Sequence, residues 1–337
     1  MRTTEGSRAF LGRPGRLSAV IESSEVYRRR RLTALAGLFA AFLAIVLIAR
    51  SCGGEPAQTA GAATTAAQAS GAAAAAPQLP RGGRTIFPRQ RVVGFYGAPQ
   101  SERLGVLGIG SPRRAAARLA RVARRYDTKR RPVLPAFELV STIAAEHPGD
   151  DGLHRLHQSR ATIDRYLREA RRAKALLLLD VQPGRGDFLS EARRLERWLR
   201  EPDVGLALDP EWHVGAGEIP GQTIGSVTAE EINEVTAYVA GLVAERRLPE
   251  KLFVVHQFTS AMIEGKERVL KRPGLALTMN VDGFGDRANK RQKYVQFTSE
   301  VERFHDGFKL FYEEDTKLMR PRDVLRLSPP PDLIVYE

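Results

Sequence analysis

Two carboxylates stand two residues apart in the stretch LALDPEWH, which covers residues 206–213. Asp209 and Glu211 come directly after an apolar run, where a buried strand would reach the surface. A carboxylic acid that protonates a leaving oxygen, supported by a second carboxylate, is the machinery of glycoside hydrolysis. The spacing therefore predicts acid/base catalysis at this stretch, and Trp212 offers a face on which a sugar ring can stack.

Polar residues also end the other apolar runs of the chain, and many of them are acids. Carboxylates that converge on one site raise each other's pKa, as general-acid chemistry requires. We therefore predict one shared site with catalytic acids and substrate-binding neighbours. The catalytic candidates are Glu211, Asp209, Asp282, Asp180 and Glu313, and the substrate-binding candidates are Tyr96, Glu138, Gln182, Trp212, His256, Gln257, Asn280 and Tyr336.

Eight apolar runs alternate with longer amphipathic, arginine-rich stretches between Arg91 and Glu337. This alternation is typical of parallel strands joined by helices, and Thr228 followed by Glu231 is a capping-box pattern that predicts a helix start. We predict an α/β fold, a (β/α)8 TIM barrel over residues 89–337, whose C-terminal mouth gathers the polar run ends. The runs are RVVGFYG, PVLPAFELV, ALLLLDV, VGLALDPE, LFVVHQF, LALTMNVD, FKLFYEED and DLIVYE.

The alternative to a barrel is an open, doubly wound sheet. Such a sheet would call for a phosphate-binding glycine turn after the first strand. The stretch YGAPQSERLGVLGIG contains glycines without the G-x-G-x-x-G spacing, so a dinucleotide site is not expected. No cofactor is predicted.

Four arginines, Arg28 to Arg31, directly precede 18 apolar residues from Leu32 to Ala49. A helix of that length rises about 27 Å, close to the thickness of a bilayer's hydrocarbon core. We predict a single transmembrane signal-anchor helix over residues 32–50, with the basic residues 1–31 in the cytoplasm. A cleaved signal peptide and a lipid on Cys52 are the alternatives, and all three place the rest of the chain outside the cytoplasm.

The stretch over residues 51–88 is rich in Ala, Gly, Thr and Pro, which predicts a flexible, disordered linker. The chain has a formal net charge of +13, but residues 1–90 carry most of this excess. A nucleic-acid partner is therefore not expected from the barrel. The single cysteine excludes a disulfide within the chain, so the exported domain depends on its core alone.

Three short motifs resemble the chitinase-type glycoside hydrolases of family 18. VGLALDPE is similar to the fourth-strand pattern D-G-x-D-x-D-x-E, with Val204 and Ala207 where that family has Asp. MNVD looks like the sixth-strand M-x-Y-D with Val281 in place of Tyr, and VVGFYG is similar to the first strand. The resemblance implies Glu211 as the acid, with Asp209 and Asp282 acting on the substrate's N-acetyl group. Lysozyme-type barrels of family 25 also place D-x-E at this strand.

Other arrangements of the same residues stay open. Glu211 with Glu313 or Glu314 would match the acid and nucleophile of the large retaining barrel clan. Asp209, Glu211 and His213 could bind a divalent ion in a metal-assisted hydrolase, although no metal is the first expectation. A barrel that binds glycan without cleaving it is a further alternative. The expected partner in each case is an envelope polysaccharide or peptidoglycan, with the membrane contacted through residues 32–49.

Overall fold

The computed structural model describes residues 76–299 and 303–337, so the predicted transmembrane segment lies outside the described residues. Within the described part, no helix is long and apolar enough to cross a membrane. Eleven strands are present among these residues. They are β1 (Arg91–Gly97), β2 (Val133–Ala144), β3 (Arg155–His157), β4 (Leu176–Val181), β5 (Val204–Leu208), β6 (Val227–Thr228), β7 (Lys251–Gln257), β8 (Ile263–Glu264), β9 (Leu275–Val281), β10 (His305–Leu310) and β11 (Leu333–Tyr336).

Eight of the strands form a closed parallel barrel in the order β1, β2, β4, β5, β7, β9, β10, β11. The ring closes because β1 pairs in parallel with both β2 and β11. The predicted (β/α)8 barrel is therefore confirmed by the topology. Each of the eight predicted apolar runs supplies one barrel strand. The short β3 pairs antiparallel with the end of β2, and β6 pairs with β8 outside the barrel.

Helices connect most of the barrel strands, and several of them begin at a residue whose side chain caps the helix N-terminus. Ser111 accepts a hydrogen bond from the backbone of the first helix, and Thr228 and Glu231 form the predicted capping box. Between β7 and β9 the described chain has only 3-10 turns and β8. The helices are α1 (Pro112–Ala123), α2 (Arg160–Arg172), α3 (Phe188–Arg194), α4 (Glu196–Leu199), α5 (Ala229–Arg246), α6 (Arg287–Ser299) and α7 (Pro321–Val324).

The barrel interior changes character along its axis. Near the N-terminal ends of the strands it is apolar, with Val92, Leu176, Leu252 and Leu333 packed in one cluster. The next inward position is smaller on some strands, as at Ala136 after Leu134, and the last inward positions are polar. Apolar packing thus holds the barrel closed beneath the polar layer, as expected when side chains fill its interior.

The chain enters the barrel domain across the N-terminal ends of the strands. Leu79, Ile86 and Phe87 are buried there in the same cluster as the barrel interior. The backbone N–H of Glu250, just before β7, donates to the carbonyl of Arg84 (2.8 Å). Residues 79–88 were predicted to belong to the flexible linker, and the structure corrects this boundary, because their three large apolar side chains seal the end of the barrel.

Candidate active site

All eight barrel strands direct a polar side chain to the interior at or just beyond their C-terminal ends. Strand residues alternate sides, so the last inward position of each strand falls at the same height. Six of these eight residues were predicted from the sequence. In barrel order they are Tyr96, Glu138, Asp180, Asp209, His256, Asn280, Lys309 and Glu337.

His256 lies at the centre of the polar layer and is fully buried. Its Nδ1 is 2.8 Å from Asp282 Oδ2 and its Nε2 is 3.0 Å from Glu138 Oε1. Both carboxylates accept, so both ring nitrogens donate and the imidazole carries a positive charge. Burial alone would lower the pKa of His256, but Asp282 and Glu138 outweigh it and raise the pKa well above its usual value.

Lys309 is the second buried cation of the site. Its Nζ lies 2.7 Å from Glu337 Oε2, 3.4 Å from Asp282 Oδ2 and 3.6 Å from the centre of the Tyr96 ring. Burial alone would lower the pKa of Lys309, yet Asp282 and Glu337 raise it. The lysine is therefore a permanent charge that orders its neighbours.

Asp282 is held between these two cations. Asn280 Nδ2 also donates to its Oδ1 (2.8 Å). Burial would raise the pKa of Asp282, but the charges of His256 and Lys309 and their hydrogen bonds lower it below its usual value. Gly307 on the next strand leaves room for Asn280, because a Cβ there would lie 2.6 Å from Asn280 Oδ1. These contacts fix the side chain of Asp282 in place and keep its carboxylate ionised.

The opposite wall of the barrel contains Asp180, a carboxylic acid that favours the neutral form. Tyr96 Oη donates to Asp180 Oδ2 (3.2 Å), and Gln182 Nε2 lies 2.9 Å from Tyr96 Oη and 3.5 Å from Asp209 Oδ2. Burial, and then the charge of Asp209, raise the pKa of Asp180 well above its usual value. Asp180 therefore keeps a proton that a solvated aspartate would lose.

Glu211 lies just past the end of β5, in a 3-10 turn over Pro210–Trp212. The turn carries its side chain into a pocket that Asp209, Asp282 and Lys309 also line, and only 3% of Glu211 is exposed. Burial raises the pKa of Glu211 well above its usual range. Lys309 only partly offsets this, and Asp282 adds to the rise. Glu211 has the protonated state that a general acid needs.

The pocket at the barrel mouth is small, with a volume of about 80 Å³. One wall is apolar and comes from β2, which continues past a register shift after Val140 so that both Val140 and Ile143 face the pocket. Trp212 lines the pocket and packs against the interior cluster. Arg103 adds a positive charge to the lining.

Three predicted site residues belong neither to the pocket lining nor to the polar layer of the barrel interior. The run FKLFYEED ends as a strand at Leu310, and the chain turns there because Asp315 Oδ2 accepts from the backbone N–H of Phe311 (3.1 Å). Glu313 consequently lies exposed in the following loop. Gln257 and Tyr336 are on the outward sides of β7 and β11, where Gln257 bonds the carbonyl of Thr259 and Tyr336 bonds Tyr126.

Sequence reasoning missed Lys309, Glu337 and Arg103, which the structure brings to the pocket. A signal existed for the first two. Lys309 interrupts an apolar strand, and Glu337 follows the inward Val335 by two residues and therefore shares its side of the strand.

One set of donor atoms in the described part of the chain approaches the spacing of a cation site. Glu138, Asp180 and His256 offer atoms within 4.8 Å of one another. Both nitrogens of His256 already donate to carboxylates, so the positive charge among these acids is that of the imidazolium itself. Asp209, Glu211 and His213, the alternative ion site, do not form such a close set among the described residues.

Neither a protein-family model nor a curated protein matches the chain. Among solved structures, the chain is similar to a wild-type sialic acid aldolase from Ruminococcus gnavus, with 12% sequence identity and a TM-score of 0.36. The match covers 74% of this chain and 68% of the aldolase chain. At this level the similarity carries no argument about the reaction, which has to come from the site.

Proposed function

We propose that the protein is a (β/α)8 glycoside hydrolase in which Glu211 is the general acid and Asp282 the ionised carboxylate. Its substrate would be a cell-envelope polysaccharide, including polymers of N-acetylated sugars. The proposal includes a membrane anchor over residues 32–49, which would hold the barrel outside the cytoplasm.

The observation that carries the proposal is a pair of carboxyl groups that line one pocket in opposite states of charge. Burial keeps a proton on Glu211, whereas His256 and Lys309 keep Asp282 ionised. Two carboxyl groups whose environments separate their pKa values are the arrangement by which one site supplies both an acid and a base or nucleophile.

The proposed reaction follows from this pair. Glu211 gives its proton to the glycosidic oxygen as the bond from that oxygen to the anomeric carbon breaks. Asp282 stabilises the positive charge that develops on the sugar ring. The hydroxyl of a water molecule then bonds to the anomeric carbon and forms the new reducing end. The remaining proton of that water returns to Glu211. Trp212 would hold the sugar ring by stacking.

Lysine-based imine chemistry is less compatible with this site. An amine that attacks a carbonyl must be neutral, and lysines used in this way have a lowered pKa. Lys309 is the lysine that lines the pocket, and its pKa is raised by Asp282 and Glu337. It holds its proton at neutral pH and serves as a fixed charge.

The test compares three variants of the full-length chain, purified in mild detergent. Peptidoglycan, chito-oligosaccharides and a panel of nitrophenyl glycosides would be incubated with the parent chain and with Glu211→Gln, Asp282→Asn and Glu313→Gln. We expect Glu211→Gln to lower turnover of the polysaccharides by about 10²–10⁴-fold. The loss should be much smaller on nitrophenyl glycosides, whose leaving group needs no proton.

Asp282→Asn should lower turnover of both kinds of substrate, because its charge supports the ring in either case. Glu313→Gln is the matched control, since Glu313 is exposed and does not line the pocket. Equal activity of all four proteins on every substrate, or no product from any of them, would rule out the proposal.

A second candidate function is glycan binding without cleavage. It is favoured by Ala207, which is fully buried in the apolar interior at the position where family 18 has an acid. The same experiment separates the two functions, because a binding protein would retain oligosaccharides in pull-down or calorimetry and release no product.

A further inference from the structure

The two ends of the barrel carry opposite charge. The segments that follow the barrel strands contain sixteen carboxylates and seven Lys or Arg, whereas the described residues of those that lead into the strands contain fifteen Lys or Arg and five carboxylates. Glu300 and Glu302, before β10, lie outside the described residues. We name the second set the entry face. Its segments are residues 76–90, 124–132, 173–175, 200–203, 247–250, 269–274, 303–304 and 325–332.

The positive charge of the entry face is available to solvent. Thirteen of its fifteen basic side chains are exposed, and only one of its five acids, Asp127, is exposed. The other acids have partners within the fold. Asp203 is bound by Arg171, Asp332 by Arg131 and His305, and Glu250 accepts from the backbone of Ile86. The exposed charge of this face is therefore almost entirely positive.

The densest part of the entry face follows α1. Arg124, Arg125, Lys129 and Arg130 are exposed, and none of them forms an ion pair with another residue that the structure describes. Some arginines elsewhere on the barrel surface are paired. Arg171, for example, is bound by Glu201 and Asp203 at 2.6 and 2.7 Å. Four unpaired cations within seven residues make a surface suited to a dense array of anions.

The chain itself reaches the barrel at this face. Residues 76–90 cross the N-terminal ends of the strands, with Ile86 and Phe87 buried there. If residues 32–49 form the anchor proposed above, about 26 residues separate it from the barrel. A flexible linker of that length has an end-to-end distance of about 30 Å. The entry face is thus the part of the barrel that the linker keeps nearest to the membrane.

We propose that the entry face binds the anionic phospholipid headgroups of the membrane in which the chain is anchored, so that the acidic mouth faces away from the bilayer. Clusters of Lys and Arg next to a membrane segment bind anionic lipid surfaces by this mechanism. The same charge separation repels the mouth from the lipid. The inference rests on the anchor and is independent of the reaction at the mouth.

The test measures which end of the barrel lies near lipid. The full-length chain would carry Cys52→Ser, which removes the single cysteine, and then one new label site at Thr85→Cys on the entry face or Gln222→Cys at the mouth. Both positions are exposed. Energy transfer from the label to headgroup-labelled lipid would be measured in vesicles with 30 mol% phosphatidylglycerol and in pure phosphatidylcholine vesicles, at low and high salt.

We expect transfer from position 85 to exceed transfer from position 222 by at least about twofold in anionic vesicles, and the difference to vanish at high salt, where a surface charge is screened within a few ångströms. Replacing Arg124, Arg125, Lys129 and Arg130 by Gln should abolish the difference. The matched control replaces four exposed arginines of the helical wall, Arg160, Arg165, Arg168 and Arg197, and should leave it unchanged.

Equal transfer from the two positions in anionic vesicles would overturn the inference. The inference would also fail if the control variant reduced the difference in energy transfer as much as the entry-face variant does. Binding of polyphosphate would be measured for the same proteins. If the entry-face variant lost this binding while its distance from the lipid stayed unchanged, the natural ligand would be a soluble polyanion and the inference would be overturned. Retention on vesicles after alkaline washing reports the anchor separately. If alkaline washing removes the chain, so that residues 32–49 are not an anchor, cosedimentation of the chain with anionic vesicles at low and high salt tests the entry face instead. No cosedimentation at low salt would overturn the proposal that this face binds anionic lipid.

Discussion

The mouth and the entry face are built from the same residue types in opposite ways. At the mouth, charged side chains point into the barrel and bond one another, as Lys309 does with Asp282 and Glu337. At the entry face the interior is sealed by apolar side chains such as Ile86 and Phe87, and the charges, Arg130 among them, point into solvent.

This difference shows where a charge has consequences for the fold. A buried charge interacts strongly with each neighbour because water does not screen it, so the groups at the mouth determine each other's state. An exposed charge is screened and interacts weakly with any single neighbour. Equal substitutions at the two ends should therefore have unequal effects, and this contrast can be tested.

The largest effect on stability is expected from Lys309→Met compared with Arg130→Met. Removing Lys309 leaves the buried carboxylate of Asp282 with His256 as its remaining cation and takes away the ion pair of the half-buried Glu337, which should lower the free energy of unfolding by about 3–5 kcal/mol. Arg130 is exposed, so Arg130→Met should change it by less than about 0.5 kcal/mol. Denaturant unfolding of the two variants and the parent would give both values.

Similar losses from the two variants would contradict the contrast between the ends. A stability loss in Lys309→Met that becomes smaller at acidic pH would support the contrast, because protonation of Asp282 removes the buried charge that has lost one of its two cations.

The fold was predictable because its signals are local. Each barrel strand is an apolar run of a few residues that ends in a polar residue, and several helices begin at a capping side chain, as at Thr228. The start of the domain was misjudged for the same reason. Leu79, Ile86 and Phe87 lie among Pro, Gly and Arg residues typical of a linker, and only the open end of the barrel gives them something to pack against.

The site was predictable as far as strand alternation determines which side chains point inward. Asp209, Asp282 and His256 were found in this way. Lys309 was missed because a lysine in a strand is usually solvated, and its burial depends on acids from two other strands. Glu313 was misplaced because no local signal shows that Asp315 ends the strand at Leu310.

The next largest effect concerns the seal at the entry face. Ile86→Ala removes a fully buried side chain and should lower the free energy of unfolding by about 2–5 kcal/mol, through lost burial and the cavity left behind. The exposed neighbour Thr85→Ala is the matched control and should change it by less than about 0.5 kcal/mol. Both variants should keep the pH dependence of activity, since neither touches the mouth. An altered pH profile in Ile86→Ala would show that the two ends are coupled.

The pH dependence of the proposed glycosidase activity should report the mouth alone. Activity falls as the pH rises through the raised pKa of Glu211, because the acid loses its proton, and falls again as the pH drops through the lowered pKa of Asp282, because the carboxylate gains one. Beyond each pKa the rate should change by about tenfold per pH unit.

The comparison with the entry face sharpens this prediction. Replacing Arg124, Arg125, Lys129 and Arg130 by Gln changes the net charge by four but should leave both limbs of the profile in place, because these side chains are exposed and distant from the buried pair. Rate profiles of parent and variant at one ionic strength give the answer. A shift of either limb by a full pH unit would mean that surface charge controls the site.

The smallest effect is expected from single hydroxyl groups at the two ends. Tyr96→Phe removes a buried hydroxyl that bonds Asp180 and Gln182, and should lower the free energy of unfolding by about 1–3 kcal/mol because both partners stay buried. Thr128→Val removes a hydroxyl that bonds the backbone of Arg131 at the exposed entry face, where water replaces it, so the loss should be below about 1 kcal/mol. Unfolding curves of the two variants at neutral pH decide the matter. If Thr128→Val costs as much as Tyr96→Phe, burial is not what distinguishes the two ends of this barrel.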